Sequence, residues 1–183
     1  MEPNLTDDRV LVEQAQQGRL DAFEELVRRY QRPVYRYLWR MCRNEAQAVE
    51  LSQDTFVRAW SGLAGFERRA SFKNWLFRIA TNRCLNELTR GRTYEALADC
   101  LPGPSRFEPD QVLRQKARSD SIRQALEQLP AEQRSALMMS IYEEMSYAQI
   151  AEVLDKPVTA VNALLYRARM AMRRALGTAR ALV

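Results

Sequence analysis

The 183-residue sequence contains no histidine. That absence removes Ser-His-Asp and Cys-His nucleophile systems, together with every histidine-ligated zinc, haem or non-haem iron site. Cysteine is nearly as scarce. Cys42, Cys84 and Cys100 are 42 and 16 residues apart, and no Cys-X-X-Cys occurs, which excludes zinc-ribbon and thioredoxin-type motifs. An odd count fits a reducing compartment better than a disulfide scaffold, and the three are expected to be buried apolar thiols. Glycine and proline number only 6 and 7. So few turn-formers argue for helices and against a many-stranded β protein. Uninterrupted apolar runs stop at about four residues, as at 136–139, far short of a membrane span. The first eight residues are acidic and lack an apolar core, so they do not read as a signal peptide. The expectation is a cytoplasmic chain with no membrane insertion, no metal or cofactor and no small-molecule substrate.

What the sequence does contain is an ordinary globular balance, 46% hydrophobic and 28% charged, with a net charge of +5 and a pI near 9.4. The excess of positive charge permits an anionic partner. It is unevenly spread: residues 1–90 carry +3, residues 91–120 are neutral and residues 121–183 carry +2. Within the last part, Lys156, Arg167, Arg169, Arg173, Arg174 and Arg180 follow one another with no acid among them. Gly91, Pro102, Gly103, Pro104 and Pro109 crowd one short window, which reads as a flexible linker. The expected architecture is all-α, with two small helical domains at 1–92 and 118–183 joined by a linker at 93–117.

Periodicity predicts four helices in the first domain. Thr6 is a candidate cap for the first, which ends at Gly18. Asp21-Ala-Phe-Glu24 has the form of a capping box and opens a helix with Phe23, Val27, Tyr30, Val34, Leu38 and Met41 on one face, kinked at Pro33. Asn44 caps a third, with Val49, Phe56 and Trp60 on its apolar side. Ser71 caps a fourth, which carries Phe72, Leu76, Ile79 or Ala80, Cys84 and Leu88. In the second domain, Ile122, Ala125, Leu126 and Leu129 mark one helix. Pro130 fits the first position of the next, with Leu137, Ile141 and Met145 inward. Ser146-Tyr-Ala-Gln149 is another capping box. Asp155 to Val158 form a turn, and Thr159 caps a final helix that places Val161, Leu165, Ala168 and Met172 inward and ends at Gly177.

Residues 146–169 have the form of a helix-turn-helix: a short helix, a tight turn, a longer helix and small Ala151 where the two cross. The second helix would face phosphates and base edges. The segment after Ser71 combines an apolar stripe with Lys73, Asn74, Arg78, Asn82 and Arg83, preceded by Arg68 and Arg69. Such basic and amide groups suit phosphates and unpaired bases. Phe72 and Trp75 are expected in the core.

Four stretches together resemble an extracytoplasmic-function (ECF) sigma factor of the bacterial sigma-70 family. Residues 21–30, DAFEELVRRY, are similar to the opening of sigma region 2. Residues 50–60, ELSQDTFVRAW, resemble the polymerase-binding helix. Residues 72–82 resemble the segment that reads the −10 promoter element. Residues 129–134, LPAEQR, with 145–151, MSYAQIA, are similar to region 4, which binds the −35 element. The resemblance covers residues 6–176. It implies an initiation factor that selects and helps open promoters, leaving RNA synthesis to the polymerase.

By that resemblance, Glu50, Leu51, Gln53, Asp54 and Phe56 would bind core RNA polymerase at the β′ clamp helices, with the β flap as a second contact. Arg68, Arg69, Ser71, Lys73, Asn74, Arg78, Asn82 and Arg83 would bind the −10 element, Asn82 near an extruded base. Lys156, Thr159, Ala160, Asn162, Ala163, Tyr166, Arg167, Arg169, Arg173 and Arg174 would bind the −35 element. An anti-sigma partner is implied as well. The sequence departs from the family pattern at three places. The acidic Asp-Ala-Glu-Asp-Leu run reads Gln47-Ala48-Val49-Glu50-Leu51, a Gly-Asp pair is replaced by Arg68-Arg69, and Val161 is followed by Asn162-Ala163-Leu164. The competing reading is a helix-turn-helix regulator that acts without polymerase.

Overall fold

A computed structural model describes residues 7–67, 71–95 and 121–180, with side chains to Arg90 in the second segment and Gly177 in the third. Thr6, Arg68, Arg69, Cys100 and nearly all of the expected linker lie outside the described residues. Those residues form helices and connecting turns with no strand among them.

The first half contains α1 (Asp8–Gln16), α2 (Leu20–Cys42), α3 (Glu45–Gly62), a 3-10 turn at Leu63–Gly65 and α4 (Phe72–Glu95). Asp7 caps α1 by accepting from the Arg9 amide. Gly18, at φ +90°, turns the chain into α2 in a conformation that side chains disfavour. The expected capping box at Asp21 is not formed. Helix α2 begins two residues earlier with Arg19 as its cap, and Asp21 pairs with the Arg19 guanidinium at 2.7 Å. Helix α2 runs on through Pro33 to Cys42. Asn44 does cap α3, accepting from the Gln47 amide at 3.1 Å.

The second half contains a helical stretch α5 (121–127), α6 (Ala131–Tyr142), α7 (Tyr147–Leu154) and α8 (Val158–Arg180). Pro130 is the cap residue of α6 and not its first helical residue. Ile141, expected inside, is 55% exposed. The capping box at Ser146 is complete: its hydroxyl accepts from the Gln149 amide and the Gln149 side chain accepts from the Ser146 amide. Asp155 ends α7 in the left-handed region at φ 54°, which Asp tolerates better than most residues. The Lys156 amide then bonds back to the Ala151 carbonyl at 3.0 Å. Helix α8 begins at Val158, so Thr159 sits in its first turn, and the helix continues through Gly177. The early start follows from the turn at Pro157, whose carbonyl receives the Ala160 and Val161 amides.

The two halves share one apolar interior. Leu26, Leu38 and Met41 of α2, Leu76 and Phe77 of α4, Met138 and Met139 of α6, Ile150 of α7 and Leu165 of α8 are all buried in a continuous cluster. Each such side chain contributes about 1.5–3 kcal/mol. Phe66, Phe72 and Trp75 pack together, with Phe66 and Trp75 ring centres 4.8 Å apart; Phe72 is a core residue, and Trp75 is half-buried against the core.

Candidate nucleic-acid interface

Helix α8 has two distinct faces. Val161, Leu165 and Ala168 are fully buried, and they seat the helix against α6 and α7. On the other side Thr159, Asn162, Tyr166, Arg169 and Arg173 are exposed, at spacings of three and four that place them in one row. Tyr166 is 66% exposed. Arg167 and Arg174 flank this row and are exposed too, whereas Ala160 and Ala163 are half-buried. Arg169 bonds the Tyr147 hydroxyl at 2.8 Å, which ties the row to the start of α7. Lys156 pairs with Glu132 at 3.2 Å.

The corresponding surface of α4 is covered at Lys73 and Asn74, while Arg78 is exposed. The Lys73 ammonium donates to the Glu143 carbonyl at 2.8 Å. The Asn74 side-chain amide donates to a Glu152 carboxylate oxygen at 2.7 Å, and Asn74 is buried. Arg78 lies 3.4 Å from the Asp155 carboxylate. These three residues stand together on the side of α4 that packs on α7, the first helix of the helix-turn-helix. Behind them the Tyr37 hydroxyl, fully buried, bonds both Thr81 of α4 at 2.8 Å and Ser135 of α6 at 2.7 Å. Burial holds its phenol well above the usual range. Beyond this, the Arg40 guanidinium lies 3.9 Å from the centre of the Tyr142 ring, and Arg43 pairs with Glu127 at 3.6 Å. Burial also raises the Glu143 carboxyl, against the pull of Lys73, Arg40 and Arg36. Ser71 is exposed beside Phe72, and Asn82 is exposed one turn beyond Arg78. Arg83 turns the other way, onto Asp54 of α3.

Helix α3 faces inward through Ala48, Leu51, Ser52, Thr55 and Ala59. Small residues there let α2 and α4 approach closely. The expected apolar side is therefore displaced: Val49 and Trp60 are each 41% exposed and Val57 64%, and Phe56 is half-buried against the core. Among the expected contacts, Glu50 and Gln53 are exposed, Leu51 is buried, and Asp54 bonds Arg58 and Arg83. Burial pushes the Asp54 carboxyl up, but the bonds from Arg58 and Arg83 outweigh it and hold it below its usual range.

The sequence reasoning missed some residues. Gln16 donates to the carbonyls of Leu63 and Phe66, both at 2.9 Å, and so anchors the chain that follows α3. A lone Gln at a helix end carries no signal of that. The backbone carbonyl of Glu143 and the carboxylates of Glu152 and Asp155, none of them singled out from sequence as a contact, meet the cations and amide of α4. A cleft of about 490 Å³ lies beside this contact, lined in part by Asp7, Asp8, Phe66, Phe72, Asn74 and Glu152. Among the described residues no cluster of His, Cys, Asp or Glu could hold a metal ion, and no helix is long and apolar enough to cross a membrane.

Two family models match the chain: Sigma-70 region 2 over residues 26–93 and Sigma-70, region 4 over residues 119–172. Among curated proteins, the chain is 33% identical over 158 residues to RNA polymerase sigma factor YlaC of Bacillus subtilis, covering 84% of this chain and 91% of that protein. It is 32% identical over 183 residues to the ECF RNA polymerase sigma-E factor of Salmonella typhimurium, covering 94% and 95%. Among solved structures, CnrH in complex with the cytosolic domain of CnrY superposes with a TM-score of 0.72 at 27% identity, covering 93% of this chain and 97% of that one. Sigma factor RpoE from Bartonella quintana, in complex with the anti-sigma factor NepR, shares the fold at a TM-score of 0.67 and 22% identity, covering 86% and 98%. Two matched regions in order, on either side of the expected linker and on an all-helical chain, place this protein in the sigma-70 family, as an ECF RNA polymerase sigma factor.

Proposed function

We propose that this sigma factor divides its work between three surfaces, with residues 1–92 acting as region 2 and residues 118–183 as region 4. The exposed side of α3, with Glu50, Gln53, Val57 and Trp60, docks on the β′ clamp helices of core polymerase, and region 4 meets the β flap. An exposed apolar row rimmed by charge is the kind of surface that marks a protein contact. Leu51 acts from the interior, holding α3 in place. Helix α4 reads the −10 element through Lys73, Asn74, Arg78 and Asn82. Arg83 acts by fixing α3 to α4 through Asp54. Helix α8 enters the major groove of the −35 element with Thr159, Asn162, Tyr166 and Arg169 toward the bases and Arg167, Arg173 and Arg174 toward phosphates. The chain itself makes and breaks no covalent bond in this scheme.

The observation that carries the proposal is the outer row of α8, presented by a helix-turn-helix whose first helix carries a complete capping box. A second follows from the contact between α4 and α7. With Lys73 and Asn74 bound to region 4, the closed arrangement cannot offer these two to DNA, whereas exposed Arg78 has only a surface pair with Asp155 to give up. Opening therefore precedes −10 recognition. An anti-sigma partner in the cytoplasm, which the family resemblance implies, would act by holding the halves together or covering them.

The experiment is to add the folded chain to core polymerase and score transcripts from a genomic promoter library. Promoter-dependent transcripts are expected. Promoter binding by the chain with no gain in transcription would overturn the proposal in favour of a regulator acting without polymerase.

A further inference from the structure

Cys42 ends α2 and Cys84 lies within α4. They are 42 residues apart in sequence, yet their sulfur atoms are 3.5 Å apart. Neither belongs to the surfaces assigned to polymerase or DNA. Cys84 is buried and Cys42 is half-buried at the open end of α2, so a small solute can reach the first sulfur and not the second. The charged groups that act on the pair are Arg134, from α6 of the other half, and Glu87 of α4. The two sulfurs share a hydrogen bond in which either thiol can be the donor. That bond lowers Cys42 against the opposing effect of its own burial, and Arg134 lowers it further, whereas the same bond and burial raise Cys84. The two thiols are thus unequal. The accessible one is the better thiolate, and the buried one keeps its proton.

We propose that Cys42 and Cys84 form a dithiol oxidation site for a small hydroperoxide such as hydrogen peroxide. The Cys42 thiolate attacks one peroxide oxygen. The O–O bond breaks, the second oxygen leaves as hydroxide and takes a proton to become water, and Cys42 becomes a sulfenic acid. The Cys84 sulfur then attacks the Cys42 sulfur. The S–S bond forms as the S–O bond breaks, and the departing hydroxide leaves as a second water with the proton from Cys84. Two thiols and one hydrogen peroxide give one disulfide and two waters, the sulfurs losing the two electrons that the peroxide gains. The sulfurs must close from 3.5 Å to about 2.05 Å, which draws the end of α2 toward α4.

The test uses the full chain with Cys100→Ala, so that only the two facing thiols react. Reduced protein is treated with one to two equivalents of hydrogen peroxide, alkylated under denaturing conditions and mapped by peptide mass spectrometry. A bridged Cys42–Cys84 peptide is the expected product. In Cys84→Ser the reaction stops at Cys42, and dimedone captures its sulfenic acid. Circular dichroism confirms that each variant is folded. Two fully alkylatable thiols after exposure, or a dimedone adduct on Cys84 in folded Cys42→Ser at the rate seen for Cys42, would overturn the proposal.

Discussion

Helices α4 and α8 are both amphipathic, both follow a turn and both carry the polar and basic groups assigned to promoter DNA, yet their outer faces differ. On α8 the row from Thr159 to Arg173 is exposed. On α4, Lys73, Asn74 and Arg78 meet a carbonyl and two carboxylates of the other half. A cation or amide that suits a phosphate or base also suits a carboxylate at the same distance, because the Coulombic and hydrogen-bond chemistry is shared. In the proposed scheme one helix is ready for DNA, and the other holds an internal substitute for it. The scheme therefore couples recognition by α4 to the separation of the halves and leaves recognition by α8 independent of it.

The largest effect that separates the two faces of α8 belongs to Leu165→Ala. Removing a fully buried leucine should cost about 2–5 kcal/mol in urea unfolding, whereas Tyr166→Ala next door should stay within about 0.5 kcal/mol and weaken duplex binding alone. Equal stability losses at the two positions would break the assignment of inner and outer faces.

Tyr37→Phe comes second. It leaves the buried Thr81 and Ser135 hydroxyls without their shared partner, an expected loss of about 1–3 kcal/mol that falls on the contact between halves. Small-angle scattering should show a more extended chain, and a −10 single strand should bind more tightly. Tighter binding without extension would show that α4 is not masked by closure.

Replacing Arg173 and Arg174 together with Ala tests the exposed helix. The slope of log affinity against log salt on −35 duplex should flatten by about 0.9 for each phosphate that is no longer neutralised, and an unchanged slope would remove these residues from the interface. The smallest effect belongs to Asp155→Asn. Its ion pair with Arg78 is largely exposed, so the change should cost less than about 1 kcal/mol, the more so because Asn also accepts the left-handed backbone there.

Acid provides a further contrast. Asp54 has a carboxyl held low by Arg58 and Arg83. Its contribution to stability is present above its unfolded range and lost as pH falls through the folded value. Asp54→Asn should therefore flatten the acid side of the stability profile, read by urea unfolding below about pH 4, and leave α8 binding to duplex unchanged.

Much of the fold was legible because local signals act within one turn of helix. The Asn44 cap and the Ser146 box need only residues three apart, and the inward set Val161, Leu165 and Ala168 follows from helical period. Errors arose where two local signals competed or where a neighbour decided. Asp21 could cap or pair, and Arg19 beside it took it as a pair. Val49 and Trp60 looked inward because they are apolar, but the small residues Ala48, Thr55 and Ala59 allow closer packing against α2 and α4 and face the core instead. Ile141 was placed inside by spacing, yet at the end of α6 it lies outside. The α8 row could be read from sequence, since charge and periodicity coincide there. The covering of α4 could not, because Glu152 and Asp155 stand about 80 residues from their partners and look like ordinary surface acids.

The order of residues was enough to settle the helical class, the rough positions of the helices among the described residues and, through its motifs, membership in the sigma-70 family. It also excluded histidine-dependent chemistry outright. Packing in three dimensions settled which basic residues are available, which side of α3 is exposed, that Tyr37 bridges the halves, and that Cys42 and Cys84 face one another. The physical reason is range: caps and periodicity are settled over three or four residues, whereas a hydrogen bond or thiol contact between distant helices exists only once their packing has set the distance.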